Sequence, residues 1–212
     1  LVFASAAPLA GTRTTHEYHQ DGARDLSRVI HQSQGAGAQI FVFVRDADAD
    51  ALENTAAGLT LRSLAGLELV DFGEQGARHF TTETPQRSPW AGCTVAVNPG
   101  VYRLRVDTGV MGLIEQTIVA SPGWQTQVFL LRRRYGAEDS PLRADLATAA
   151  IHMARVGRGF DAYDQGARLA EAARLGLVNR RNIAGQEILN QILWMKFDDP
   201  MLGLYAGHLL LV

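Results

Sequence analysis

The chain has 212 residues, 47% of them apolar, and a formal net charge of −2. That is enough apolar chain for one large globular domain or two small ones, and it rules out a disordered polypeptide. The near-neutral charge argues against the basic face of a nucleic-acid binder and gives no attraction to an anionic membrane. With Cys93 as the one cysteine, a disulfide framework is impossible, and a reducing, cytoplasmic compartment is the simplest expectation.

No apolar run reaches the ~20 residues that cross a bilayer. The opening LVFASAAPLA lacks the basic segment of a signal peptide. The first residue is Leu1, and the chain closes on the apolar GHLLLV without a stop signal, so the sequence reads as a piece of a longer protein. Residues 21–34 carry Leu26, Val29 and Ile30 at helical spacing, with Gly35 placed as a C-terminal cap. QIFVFVR (39–45) is a strand, and a polar loop follows through residue 58. LTLRSL and LELVDF are two strand-like runs within 59–72, before a long polar connection over 73–90.

CTVAV (93–97) and VYRLRV (101–106) alternate around Asn98-Pro99-Gly100, where Pro presets φ and Gly supplies a positive φ for a type II turn. LIEQTIVA (113–120), a second Pro-Gly turn at Pro122-Gly123, and WQTQVFLL (124–131) close the strand-rich block. The period then changes. Ser140 and Pro141 suit the N-cap and first turn of a helix whose stripe is Leu142, Leu146, Ala149, Ala150 and Met153, ended by Gly157. Helices are also expected over 164–177, 182–197 and 200–212, the third starting from Asp199-Pro200. The fold class is therefore α+β, a small antiparallel β-sandwich followed by a helical domain. The expected divisions are an N-terminal extension with one short helix (1–35), the sandwich (36–132) and helices (138–212). The helix 182–197, bearing Trp194, is expected to cover an open face of the sandwich.

Candidate chemistry is sparse. His16 and His19 are spaced to share a metal on one helix face, with His31 the nearest third ligand, but no further ligand pair is suitably spaced. Asp46, Asp48 and Asp50 match the start of a calcium loop, yet Ala51 and Ala57 stand where Gly and a bidentate Glu belong. A Cys93–His79 dyad is conceivable, although Cys93 opens an apolar strand where cysteine acts as a small hydrophobe. His208, in an apolar helix, is expected in the core. Trp90, Tyr102 and Trp124 are candidate binding aromatics for a sugar face. Arg132, Arg133, Arg134 and Tyr135 form a candidate processing linker, exposed between the two domains, and Arg180 with Arg181 forms a second basic pair. No cofactor or metal is expected.

VNPGVYRLRVDTG together with EQTIVASPGWQTQVFLL resembles the hairpins of prealbumin-like or PEGA-like sandwiches over residues 93–131. FVFVRD, GWQTQVFLL and KFDDPMLGLYAGHLLL resemble uncharacterised regions of large bacterial proteins associated with caspase-like peptidases in conflict systems. The resemblance implies a non-catalytic interaction or regulatory module of a defence protein, with a protein partner, a caspase-like peptidase being the candidate, and no nucleic-acid or membrane partner. The alternatives are a carbohydrate- or surface-binding sandwich and a hydrolase using Cys93 or a histidine cluster.

Overall fold

The structure, a computed structural model, describes residues 5–13, 15–46, 55–73, 77–79, 89–138, 140–179 and 186–211. Its central strand is Ala38–Arg45 (β2), built from the β-branched and aromatic run read in the sequence. All eight of its residues are buried, so it needs a covering layer on both faces. Trp90–Val97 (β6) pairs with it antiparallel and Trp124–Arg134 (β9) pairs parallel. Gln32–Ser33 (β1) and Arg78–His79 (β5) join β6, while Leu142–Ala144 (β10) and Ala150–Arg155 (β11) both join β9, completing a seven-stranded sheet. A second sheet, all antiparallel, runs in the order Glu68–Asp71 (β4), Leu59–Ser63 (β3), Gly100–Asp107 (β7), Leu113–Ala120 (β8).

The two sheets face each other across the main core. Ile40, Val42 and Val44 of β2 meet Leu61 of β3, Leu104 of β7 and Ile118 of β8 there. The alternate residues of β2, Phe41 and Phe43, point the other way and form an aromatic layer with Phe129 and Trp90. Phe41 and Phe129 sit edge to face at 5.8 Å, a favoured aromatic geometry. This second core is roofed by the helix Glu17–Ser27 (α1), by Ala6, Ala7 and Leu9, and by Phe160 and Ala162. Gln165–Val178 (α2), Gln186–Met195 (α3) and Pro200–Leu209 (α4) enclose a third core around Ala170, Ala173, Ile192, Leu202 and Ala206.

Two sheets with helices, the α+β class, are present as the sequence pattern implies. Several finer expectations are overturned. The larger sheet is mixed, with parallel β1–β6 and β2–β9 pairs, because the chain leaves β2 for the other sheet and returns to its far edge. Alternation fixes which face a side chain takes and is silent about strand direction. The segment expected as a helix from Ser140 to Gly157 is β10, a 3-10 turn at Leu146–Thr148 and β11. Strands thus continue well past 132, and α-helix resumes only at Gln165. Residues 5–13 and 15–27 are structural, not an appendage, since Ala6, Ala7, Leu9, Ala23 and their neighbours fill the second core. The α3 helix packs on α2 and α4 rather than over the sandwich, and Trp194 is 80% exposed.

Candidate functional site

Arg132–Arg134 lie within β9, in register with Ala144, Arg143 and Leu142 of β10, and Tyr135 is buried. The expected exposed linker is therefore strand. All three cations have partners. The Arg132 guanidinium grips the Asp46 carboxylate through two bonds, Nε to Oδ1 and Nη2 to Oδ2. Arg133 sits 3.6 Å from Asp145 and lies over the Tyr135 ring, and Arg134 donates to the Ser140 carbonyl at 2.6 Å. Asp46 is 86 residues away in sequence, which is why neighbouring acids alone could not reveal it.

The other predicted groups do not assemble either. Trp90 is packed against Phe43 at a centroid distance of 5.6 Å and under α1, so it offers no sugar-stacking face. Tyr102 is half-buried with its hydroxyl donating to the Asn98 carbonyl, and Trp124 is half-buried with the Arg155 guanidinium 3.9 Å above its ring. Cys93 is wholly buried in the inter-sheet core, the place of a small hydrophobe. For His79 only the backbone pairing with Ala91 is described. His19 is buried at the start of α1, where burial, aided by the nearby Arg45 cation, holds its imidazole down to about 3. His31 accepts the Thr94 N–H on Nδ1. Among the described residues no cluster of three or more His, Cys, Asp or Glu side chains is suited to a metal. Asp48, Asp50, Arg180 and Arg181 lie outside the described residues. His208 is exposed, not in the core.

A different polar constellation occupies the boundary between sheet and helices. Gln39 of β2, Gln125 and Gln127 of β9, and His152 of β11 share one sheet face by register and are all buried. Gln127 Nε2 donates to Gln125 Oε1 (2.8 Å), and Gln125 Nε2 donates to Gln39 Oε1 (2.9 Å) and to the Ser27 carbonyl (2.7 Å). His152 ends this row between two carboxylates. Its Nε2 is 3.8 Å from Glu171 Oε1 of α2, and its Nδ1 is 3.8 Å from Asp199 Oδ2 at the start of α4. Glu171 is further held by Ser5 Oγ (2.5 Å) and by the Arg174 fork (2.9 and 3.0 Å). Asp199 Oδ1 accepts the Met201 N–H, capping α4 ahead of Pro200, and also accepts the Met153 N–H on the outer edge of β11. The Tyr205 hydroxyl approaches the Ile151 carbonyl on that same edge. Asp199 and Tyr205 thus block a sheet edge that would otherwise be open.

Burial sets the protonation of this cluster. It pushes the Asp199 carboxyl up to about 7, against the pull of its two backbone donors. It pushes the His152 imidazole down, opposed by the Glu171 charge. Burial works to raise Glu171 too, but the Arg174 guanidinium outweighs it and keeps that carboxyl below its ordinary value. Burial thus favours the neutral form of both His152 and Asp199, and neither ring nitrogen of His152 has a hydrogen-bond partner among the described residues. A cavity of about 70 Å³ adjoins them, lined by His152, Asp199, Asp164, Arg158 and Gln127 among others. It has room for a few waters and is far below the roughly 300 Å³ of a typical organic-ligand pocket. The arrangement ties β11, α2 and α4 together through the Asp199 bond to the Met153 N–H and the Glu171 carboxylate beside His152. The sequence hid it by placing His152 inside an apparent helix, off its apolar stripe. The three glutamines in otherwise apolar strands, and Glu171 among the alanines of α2, were the available signals.

The helices also carry apolar side chains that cover nothing. Trp194 of α3 and Phe197 just beyond it are 80% and 69% exposed, and Leu204 of α4 and Leu211 just past its end are 57% and 84% exposed. Leu204 and His208, four apart on α4, share one helix face. No family model, no curated protein and no solved structure matches the chain. No helix among the described residues is long and apolar enough to cross a membrane.

Proposed function

We propose that the chain is a non-catalytic interaction module of a cytoplasmic bacterial conflict-system protein, its sandwich a prealbumin-like or PEGA-like unit, its partner a protein and first of all a caspase-like peptidase. The observation that carries the reading is the set of outward apolar side chains at Trp194, Phe197, Leu204 and Leu211. Large apolar groups exposed together on adjacent helices mark a protein-docking surface, and a buried aromatic anchor is the commonest source of binding energy in such interfaces. The conflict-system setting and the peptidase rest on the sequence resemblance, the reducing compartment on the lone buried Cys93.

The test uses the full chain, immobilised, and a caspase-like peptidase encoded beside it, titrated by biolayer interferometry. The wild type binds, and Trp194→Glu combined with Leu211→Glu abolishes binding while the circular dichroism spectrum and melting temperature stay unchanged. Undiminished affinity in a folded double variant, or no binding by the wild type, removes the reading.

A further inference from the structure

Among the described residues the smaller sheet ends in β8, which pairs with β7 on one side only. The direction of its backbone groups follows from the hairpin. The Thr108 N–H donates to the Gly112 carbonyl at 3.1 Å, continuing the register that sets Asp107 opposite Leu113. Antiparallel pairs alternate between bonded and non-bonded. Ile114, Gln116 and Ile118 therefore turn their N–H and C=O groups toward β7, and Leu113, Glu115, Thr117 and Val119 turn theirs outward. The Asp107 N–H, bonded to the Gly58 carbonyl on the β3 side, confirms the same alternation on β7. At one end the Val119 carbonyl accepts from Thr126 Oγ1 at 2.6 Å. The outward backbone groups of Leu113, Glu115 and Thr117 have no partner among the described residues.

Edges of this length usually carry a lysine, a proline or a bulge that keeps other strands away. LIEQTIVA has none of these, and its single charge is Glu115. Leu113 and Val119 flank the open stretch, 54% and 53% exposed. The order of residue types reads the same in both directions about Gln116: two apolar residues, three polar, two apolar.

We propose that β8 is the interface of a homodimer, two copies laying this strand antiparallel about a two-fold axis at Gln116. In that register Glu115 faces the partner's Thr117 and exchanges both backbone bonds with it, and Leu113 faces the partner's Val119. A closed two-fold contact requires one surface complementary to itself, and this register supplies it. An axis at Glu115 would set two carboxylates face to face. An axis at Thr117 would set Glu115 against Val119. A one-residue slip would turn outward groups against inward ones and reverse the faces. Pairing at Gln116 joins two four-stranded sheets into one of eight strands.

Sedimentation equilibrium of the full chain over the micromolar range tests the proposal. The wild type moves from 23.0 kDa toward twice that mass as concentration rises. Thr117→Glu places a carboxylate opposite Glu115 at both symmetric positions and weakens dimerisation at least about tenfold. Adding Glu115→Lys to it sets opposite charges face to face and restores the dimer. Thr117→Pro, which removes an outward N–H and no bond to β7, gives a folded monomer. A wild type that stays at 23.0 kDa at every concentration, a dimer that survives Thr117→Glu, or a folded double variant that stays monomeric overturns the proposal.

Discussion

Replacing Asp46 by alanine is the sharpest test of how this fold is held. Asp46 closes β2 and Arg132 sits in β9, and their side chains are 5% and 0% exposed, so water cannot screen the pair. Asp46→Ala takes from the buried Arg132 guanidinium the carboxylate that accepts from its Nε and Nη2. A surface pair would cost about 0–1 kcal/mol, whereas removing one partner of a buried pair costs about 3–5 kcal/mol. Burial puts this pair in the second class. Arg45, also fully buried and stabilised in its charged form by Asp46, adds to the loss in the same direction. For a chain of this length each kcal/mol moves the melting temperature by about 2–4 °C, so the fall is roughly 6–20 °C. Asp46→Leu with Arg132→Met recovers most of it, because an apolar pair of similar volume removes the desolvation cost with the charges. Calorimetry and urea titration read both variants. A single variant that loses under about 1 kcal/mol, or a double variant no better than the single, refutes the reasoning.

Three further outcomes follow from the geometry. Asp199 is raised to about 7 from 3.8, so it withdraws stability as pH climbs across that interval, while His152, lowered from 6.5, withdraws stability as pH falls below 6.5. The two slopes oppose each other between those limits, and Asp199→Asn, which keeps an N-cap, removes only the first. Its urea midpoint then falls more steeply than the wild type's from pH 6.5 toward acid, and parallel profiles would show that burial does not raise the Asp199 carboxyl. A Cβ at Gly22 would lie 2.6 Å from two carbons of the Trp90 indole, so Gly22→Ala overpacks α1 against β6 and costs about 1–3 kcal/mol by urea titration, while an unchanged midpoint would mean that α1 is free to lift. Native trypsin digestion spares the bonds after Arg132, Arg133 and Arg134, and early fragments beginning at Arg133, Arg134 or Tyr135 would contradict their place in the β9–β10 ladder.

Strands β6 to β9 were legible because Asn98-Pro99-Gly100 and Pro122-Gly123 punctuate clear alternation, and each strand keeps one apolar face. The stretch from Ser140 to Arg155 misled for a physical reason. Ile151 and Met153 are half-buried while Ala150, His152 and Ala154 are buried, so apolar residues lie on both faces and the two-residue period disappears. A Ser-Pro start then imitates a helix cap, and the open side of β9 decides the outcome, a tertiary effect that no local pattern carries. The His152 cluster was hidden for the same reason, since its three carriers, β11, α2 and α4, meet only after the chain has folded. The Arg132 pairing depended likewise on a partner strand far off in the sequence.

The parallel seating of β9 on β2 also has a consequence for synthesis. At roughly 5–20 residues per second, ribosomes take roughly 4–17 s to cover the 86 positions that separate Asp46 from its partner Arg132. Through that interval β2 can acquire β6 on one side, but its other side stays unpaired and the rings of Phe41 and Phe43 lack Phe129. A nascent chain carrying IFVFV with one bare edge is a target for holding chaperones and for its neighbours on the same polysome. Truncations that stop before residue 124 will therefore accumulate as aggregates rather than as smaller folded proteins.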